Sequence, residues 1–414
     1  MFKKIASAVN SLSGSPKPQL PCSHHAPARL ETYEQLASTL ASANVPVSAD
    51  DCGDCSTCEE HIQAGSIAEI YEGKSYEEYI EEKYGHLDEL PAGFDVDWES
   101  DLAGSAKGGK GRIVVVSTGK SDWERDHTDE KSSFSHQLHE VLSKLPDVPP
   151  PKETSAVAYI AASPFPLPSQ LPLGTALPTP SIYSSSLISQ SDDLEDQTIL
   201  VFPDWKVVHE VENSRAGAEE IWEKVLQGGL GRAGKKGDGD ETGVGRKRSW
   251  VLPYRAVVLL CSHKRRDKRC SIAAPLLRAA LHTTLSSHNI SIDETGTSLL
   301  HLSGPPLEDL KGSEAEREQV VGARLSDIEG VHGGDGGEVG IFNINHLGGH
   351  RYAGVMIILF PSGAYLSYGR VTPQEIPRVV EDTILQGKIV PGLLRNAVGV
   401  TREDPKAGNG FLSW

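Results

Sequence analysis

Apolar residues fall in short β-branched runs separated by amphipathic and turn-rich stretches, the pattern of an α/β protein. Arg112 to Ser117, R-I-V-V-V-S, reads as a buried strand ending in a Thr-Gly turn. Ser132 to Leu145 has helical spacing and is closed by Pro146. The proline-punctuated stretch 146–180 holds one apolar run, Ala156 to Ala162, expected as a strand. Gln197 to Phe202 predicts another strand, stopped by Pro203, and Ala216 to Gln227 a helix. A second series starts at Arg255 to Leu260. It continues with a helix from about Ile272 to Ser287 and a Gly-rich excursion with a short strand near Leu299 to Leu302. Glu338 to Ile344 is the next strand. Gly354 to Phe360 and Tyr365 to Tyr368 form a hairpin across Pro-Ser-Gly, and a last helix runs from Thr372 through Gln386.

This order predicts five regions. Residues 1–65 are a leader and Cys-bearing acidic segment, expected to be partly disordered, and 66–227 an N-terminal α/β domain with an acidic helix over 66–84. Residues 228–250 are a Gly-rich linker, 251–400 a second α/β domain and 401–414 a tail. In the second domain a right-handed crossover makes the first two strands parallel and the next pair a hairpin, the layout of a thioredoxin-like domain. The linker comes near a phosphate loop at Gly229, Gly234 and Lys235. Lys236 stands where the magnesium-binding hydroxyl belongs, and a helix precedes it, so nucleotide binding is not expected there.

Charge narrows the partners. The 414 residues carry a net −17, and residues 31–100 alone hold 18 acidic residues against Lys74 and Lys83. The acidity is therefore local, and neither nucleic acid nor an anionic membrane is an expected partner. No apolar run is long enough to span a membrane. The N-terminus lacks the apolar core of a secretory signal, so the expected compartment is the cytoplasm, with a mitochondrial location the alternative.

Six cysteines are too few for a disulfide scaffold. Cys22, Cys52, Cys55 and Cys58 gather near the N-terminus, where C-G-D-C offers a thiol oxidoreductase reading or a second metal site. Cys261 ends a strand, Cys270 opens the following helix, and His346 and His350 follow the next strand. Parallel strands bring these four to one sheet edge, where α/β sheets bind ligands. Two glycines between the histidines favour a loop over a helix by roughly 2 kcal/mol and let backbone approach a metal. Two thiolates and two imidazoles suit zinc or a 2Fe–2S cluster, and spacing does not choose between them.

C-S-H-K-R-R-D-K-R-C from Cys261 and H-L-G-G-H-R-Y-A-G from His346 resemble the sucrase/ferredoxin-like family of thioredoxin-like ferredoxins. F-D-V-D from Phe94 and S-T-G-K-S-D-W from Ser117 fit the same resemblance. It implies a 2Fe–2S cluster with Cys261 and Cys270 on one iron and His346 and His350 on the other. The first α/β unit, about 90–227, holds no cysteine and is expected to be a degenerate thioredoxin-like module without ligands. That ligand set makes the oxidised centre neutral, with an expected potential of about −150 to +300 mV and proton-coupled reduction through the imidazoles. Lys264, Arg265, Arg266, Lys268 and Arg269 would raise the potential further and dock an acidic redox partner. Leu412-Ser413-Trp414 resembles the terminal tripeptide that cytosolic iron–sulfur assembly machinery recognises. An electron carrier is thus the leading expectation, a structural zinc protein or a thiol oxidoreductase the alternatives.

Overall fold

The computed structural model describes residues 27–48, 81–82, 90–98, 100–106, 108–109, 111–145, 178–235, 248–403 and 408–413. The expected strand at Ala156 to Ala162, the bulk of the expected acidic helix at 66–84, Cys22, Cys52, Cys55, Cys58 and Trp414 lie outside them.

In chain order the elements are α1 (Pro27–Ser42), β1 (Ile113–Ser117), α2 (Phe134–Leu142), β2 (Ser181–Ser185), β3 (Gln197–Phe202), β4 (Lys206–Val211) and α3 (Arg215–Ile221), which widens into a π turn over Trp222–Leu226. Then come β5 (Arg248–Val251), β6 (Ala256–Cys261), α4 (Lys268–Ser287), β7 (Ser291–Asp293), α5 (Glu314–Ser326), β8 (Glu338–Ile344), β9 (Met356–Leu359) and β10 (Tyr365–Tyr368). Pro373–Glu375, Ile376–Arg378 and Val379–Leu385 run on as the last helical stretch, before β11 (Leu394–Val398). The excursion differs from expectation. Residues Thr297–Leu299 form a tight turn, and the short strand is β7, which extends β8.

The α/β class is as expected, but the sheet is one. Among the described residues eleven strands form a single mixed sheet in the order β11-β10-β9-β6-β8-β2-β1-β3-β4-β5, with β7 alongside β8. Two runs inside it share a pattern. In β1–β4 the first two strands are parallel and the third and fourth follow antiparallel on the other side of the first. The run β6, β8, β9, β10 repeats that pattern. The two runs meet where the last residue of β2, Ser185, pairs antiparallel with the last residue of β8, Ile344. Both runs therefore bring the C-terminal ends of their parallel strands to one seam. β5 belongs to the first run, pairing with β4.

Side chains close the seam. Ser184 N–H donates to Asn345 Oδ1 at 2.9 Å, and Asn345 N–H returns to Ser184 O at 3.1 Å. Ser184 Oγ also meets Ser135 Oγ (2.8 Å) and His127 Nδ1 (3.0 Å). Apolar layers cover both faces. One packs α1, α4 and the last helical stretch on β6, β8, β9 and β10. On the same face α2 and α3 pack on β1, β3 and β4, and the opposite face is covered by a layer in which α5 meets the alternate residues of β1, β3, β6 and β8.

Burial pushes His209, in β4, and His127 down to about 4. An imidazole that stays neutral when folded but takes a proton normally when unfolded stabilises the fold above its ordinary value of 6.5. That stability is lost as pH falls from there toward 4, because the unfolded chain binds the proton first. For His209 the loss by pH 5 is roughly 2 kcal/mol. The fall in denaturation midpoint from pH 7 to pH 5 is accordingly expected to shrink in His209→Gln. An equal fall in both proteins would refute the assignment.

Candidate metal centre

The apolar run of β6 is buried along its whole length and delivers Cys261 at its end. β6 is held between β8 and β9, and Cys261 N–H donates to Val355 O at 3.1 Å. Asp267 caps α4 by accepting from Arg269 N–H at 2.9 Å. The cap starts the helix at Lys268, four residues before the expected Ile272, and so places buried Cys270 in the first turn. The parallel register sets Cys261 beside Ile344, so the chain leaving β8 presents His346 to the same spot. Sγ of Cys261 and Sγ of Cys270 lie 3.2 Å apart, and Nδ1 of His346 stands 3.8 and 4.0 Å from them. Both cysteines are free thiols, and the three donor atoms lie within 4.8 Å of one another.

These donors fit a thiophilic metal. Bonds of about 2.3 Å to sulfur and about 2.0 Å to nitrogen, at tetrahedral angles, put neighbouring donors roughly 3.5–3.8 Å apart, and the three observed separations straddle that range. Val355 and Leu347 pack against the sulfurs and keep the site apolar. Hydrogen bonding to Cys270 holds the Cys261 thiol well below its usual range. His346 and the Leu347 N–H add to this, and burial opposes it. The same hydrogen bond, with burial, pushes Cys270 up. A bound cation would favour the thiolate form of both sulfurs.

His350 opens a tight turn, His350–Tyr352, after the glycine pair. Its side chain lies outside the described residues, so three of the four expected ligands are seen to converge. The second glycine of the pair makes room for a neighbouring guanidinium, whereas a Cβ at Gly348 would meet nothing within 4 Å. At Gly349, φ is +68°, and a Cβ there would come within 2.4 Å of Arg395 Nη2.

A profile of the sucrase/ferredoxin-like family matches residues 102–396. The chain belongs to this family. Actin patches distal protein 1 of Saccharomyces cerevisiae is 31% identical over 136 residues, 33% of this chain and 31% of that protein. Altered inheritance of mitochondria protein 32 of Clavispora lusitaniae is 25% identical over 142 residues, 34% of this chain and 35% of that protein. The chain thus spans about a third of the length of the curated relatives it matches. No solved structure matches. The sucrase/ferredoxin-like match takes in both runs of the sheet and all three clustered donors.

In this sucrase/ferredoxin-like chain the loop before Cys270 is less uniformly basic in effect than its sequence. Arg265 pairs with Glu124 and lies 3.8 Å from Asp122, and Arg269 pairs with Asp267 at 2.9 Å. Lys264, Arg266 and Lys268 are exposed, and Arg266 donates to the Arg125 carbonyl at 3.3 Å. Leu412 is buried in the core beside Phe411, and Arg402 donates to the Ser413 carbonyl at 2.6 Å. Trp414, the last residue of the tripeptide, lies outside the described residues. His263 carries a role that sequence reasoning missed. Its Nε2–H donates to Trp123 O at 3.0 Å, while its Nδ1 accepts the His346 N–H at 3.3 Å. It braces the ligand loop against the first run of strands. The signal was its place two residues after Cys261.

Proposed function

We propose that this chain is a one-electron carrier holding a 2Fe–2S cluster with Cys261, Cys270, His346 and His350. The observation that carries this reading is the meeting of two buried free thiols and an imidazole nitrogen within 4.8 Å. The cluster, when bound, supplies reversible one-electron chemistry. The chain contributes the apolar cover of Val355 and Leu347, the Leu347 N–H toward Cys261, and a loop fixed by His263. The shared strand pattern of the two runs supports reading each as a thioredoxin-like unit, the first without ligands and serving to brace the second. Lys264, Arg266 and Lys268 are the exposed cations for docking an acidic redox partner, and Trp414 is the contact for cytosolic iron–sulfur assembly machinery. The compartment that goes with this is the cytoplasm, and the name of the Clavispora relative is compatible with the mitochondrial alternative.

The second reading is a single zinc ion on the same donors, because separations of 3.2–4.0 Å also suit one tetrahedral ion. Metal and acid-labile sulfide analysis separates the two. Aerobically purified protein is expected to be red-brown, with about two iron and two sulfide per chain and an EPR signal after dithionite reduction. A colourless protein with zinc and no sulfide would overturn the electron-carrier reading.

A further inference from the structure

Arg395 is only 1% exposed, and it lies where β11 slips register. Ser367 faces Asn396 and Tyr368 faces Leu394, so Arg395 is the extra residue of a bulge. A bulge bends the strand and re-aims the side chain it carries, and such bulges gather beside functional sites. Here the guanidinium is aimed at the ligand loop. Its Nη2 occupies the space a Cβ at Gly349 would need, between His346 and His350. Its carbon lies 5.9 Å from the ring centre of Tyr352, and its Nε donates to Ser105 Oγ at 3.1 Å.

Two features bear on the charge of this cation, the first shared with Arg232 and Arg317, which likewise bury an unpartnered Nε. Its Nη1 is buried and donates to nothing. Nor does any carboxylate pair with it among the described residues, whereas Arg112, equally buried, has Asp204 at 2.7 Å. A buried guanidinium without an anion is costly unless another negative group lies nearby. Burial holds its pKa below the usual value, and the nearby groups that oppose this are tyrosines and Cys261.

We propose that Arg395 is the charge-compensating residue of the metal centre, a fixed guanidinium with a spare N–H that favours the reduced state. The inference rests on the cluster reading above. Reduction adds one electron, taken from an external reductant, and no proton or group moves at Arg395. A fixed positive charge in an apolar setting stabilises the more negative of two states, by an amount corresponding to roughly tenfold or more in the reduction equilibrium. Lysine would keep the charge but lose the planar fork, and so retain part of the effect.

The test is a redox titration of the full chain with dithionite, followed optically and by EPR, for wild type, Arg395→Gln and Arg395→Lys. The Gln variant is expected to keep its cluster spectrum while its reduction equilibrium falls roughly tenfold or more, with the Lys variant between it and wild type. Unchanged equilibrium in a cluster-loaded Gln variant overturns the inference alone. Wild type without a cluster overturns the functional reading, and the inference with it. If neither variant folds, pulsed EPR of reduced wild type carrying ¹⁵N-arginine decides. A weak nitrogen coupling is expected, and its absence overturns the proposal.

Discussion

Cys261→Ser is expected to leave the purified protein colourless, with iron content reduced roughly tenfold or more, since a hydroxyl is a poor ligand for thiophilic metals. The thiol lost is the one that Cys270, His346 and the Leu347 N–H all favour in its ionised form. A serine hydroxyl stays protonated in the same place. Cys270→Ser should remove colour too, because both sulfurs belong to the same donor set. The fold should survive. Cys261 sits at the end of β6, and its backbone bond to Val355 O does not depend on the side chain. Burying a hydroxyl in place of a thiol costs about 1–3 kcal/mol. Iron analysis beside a denaturation midpoint separates these effects. A folded, coloured Cys261→Ser protein with full iron content would mean that the metal is held elsewhere.

The strands of this fold that were legible are those buried on both faces. R-I-V-V-V-S and R-A-V-V-L-L announce themselves by apolar runs alone. S-I-Y-S-S, which forms β2, does not, because its hydroxyls become acceptable inside only through distant partners. Ser184 needs Ser135, His127 and Asn345, and Ser185 Oγ donates to Val116 O at 2.8 Å. The pairing of β2 with β8 lies equally beyond local pattern, and it merges two expected units into one sheet. Cys261, Cys270 and His346 were placed together by an argument about parallel strand ends, which the register of β6 and β8 meets. Arg395 was not legible, since a bulge some 50 residues beyond the ligand loop decides where it points. The pairing of Arg265 in the loop Lys264 to Arg269 was hidden for a related reason. Its neutralising carboxylates, Asp122 and Glu124, arrive from the first run of strands.

Gly354→Ala is expected to destabilise the protein by about 3 kcal/mol or more and to lower iron content with it. Gly354 has φ of +37°, and a Cβ there would come within 1.9 Å of Val371 O and 2.8 Å of the Val371 N and C atoms. All three are backbone atoms, so no rotamer change relieves the overlap. Val371 N–H donates to Gly354 O at 3.2 Å, and the methyl would prise that pair apart. The neighbouring residue is Val355, which packs on both sulfurs and accepts the Cys261 N–H. Strain at Gly354 therefore reaches the donor set through one peptide unit. Gly119→Ala is the matched control. Gly119 also has positive φ, +63°, but no atom lies within 4 Å of its Cβ position. That substitution should cost only the conformational penalty of about 1–2 kcal/mol and leave iron content unchanged. Urea midpoints at constant slope, read beside iron per chain, test the contrast. Equal losses in the two variants would show that the close approach of Gly354 to Val371 does not support the centre.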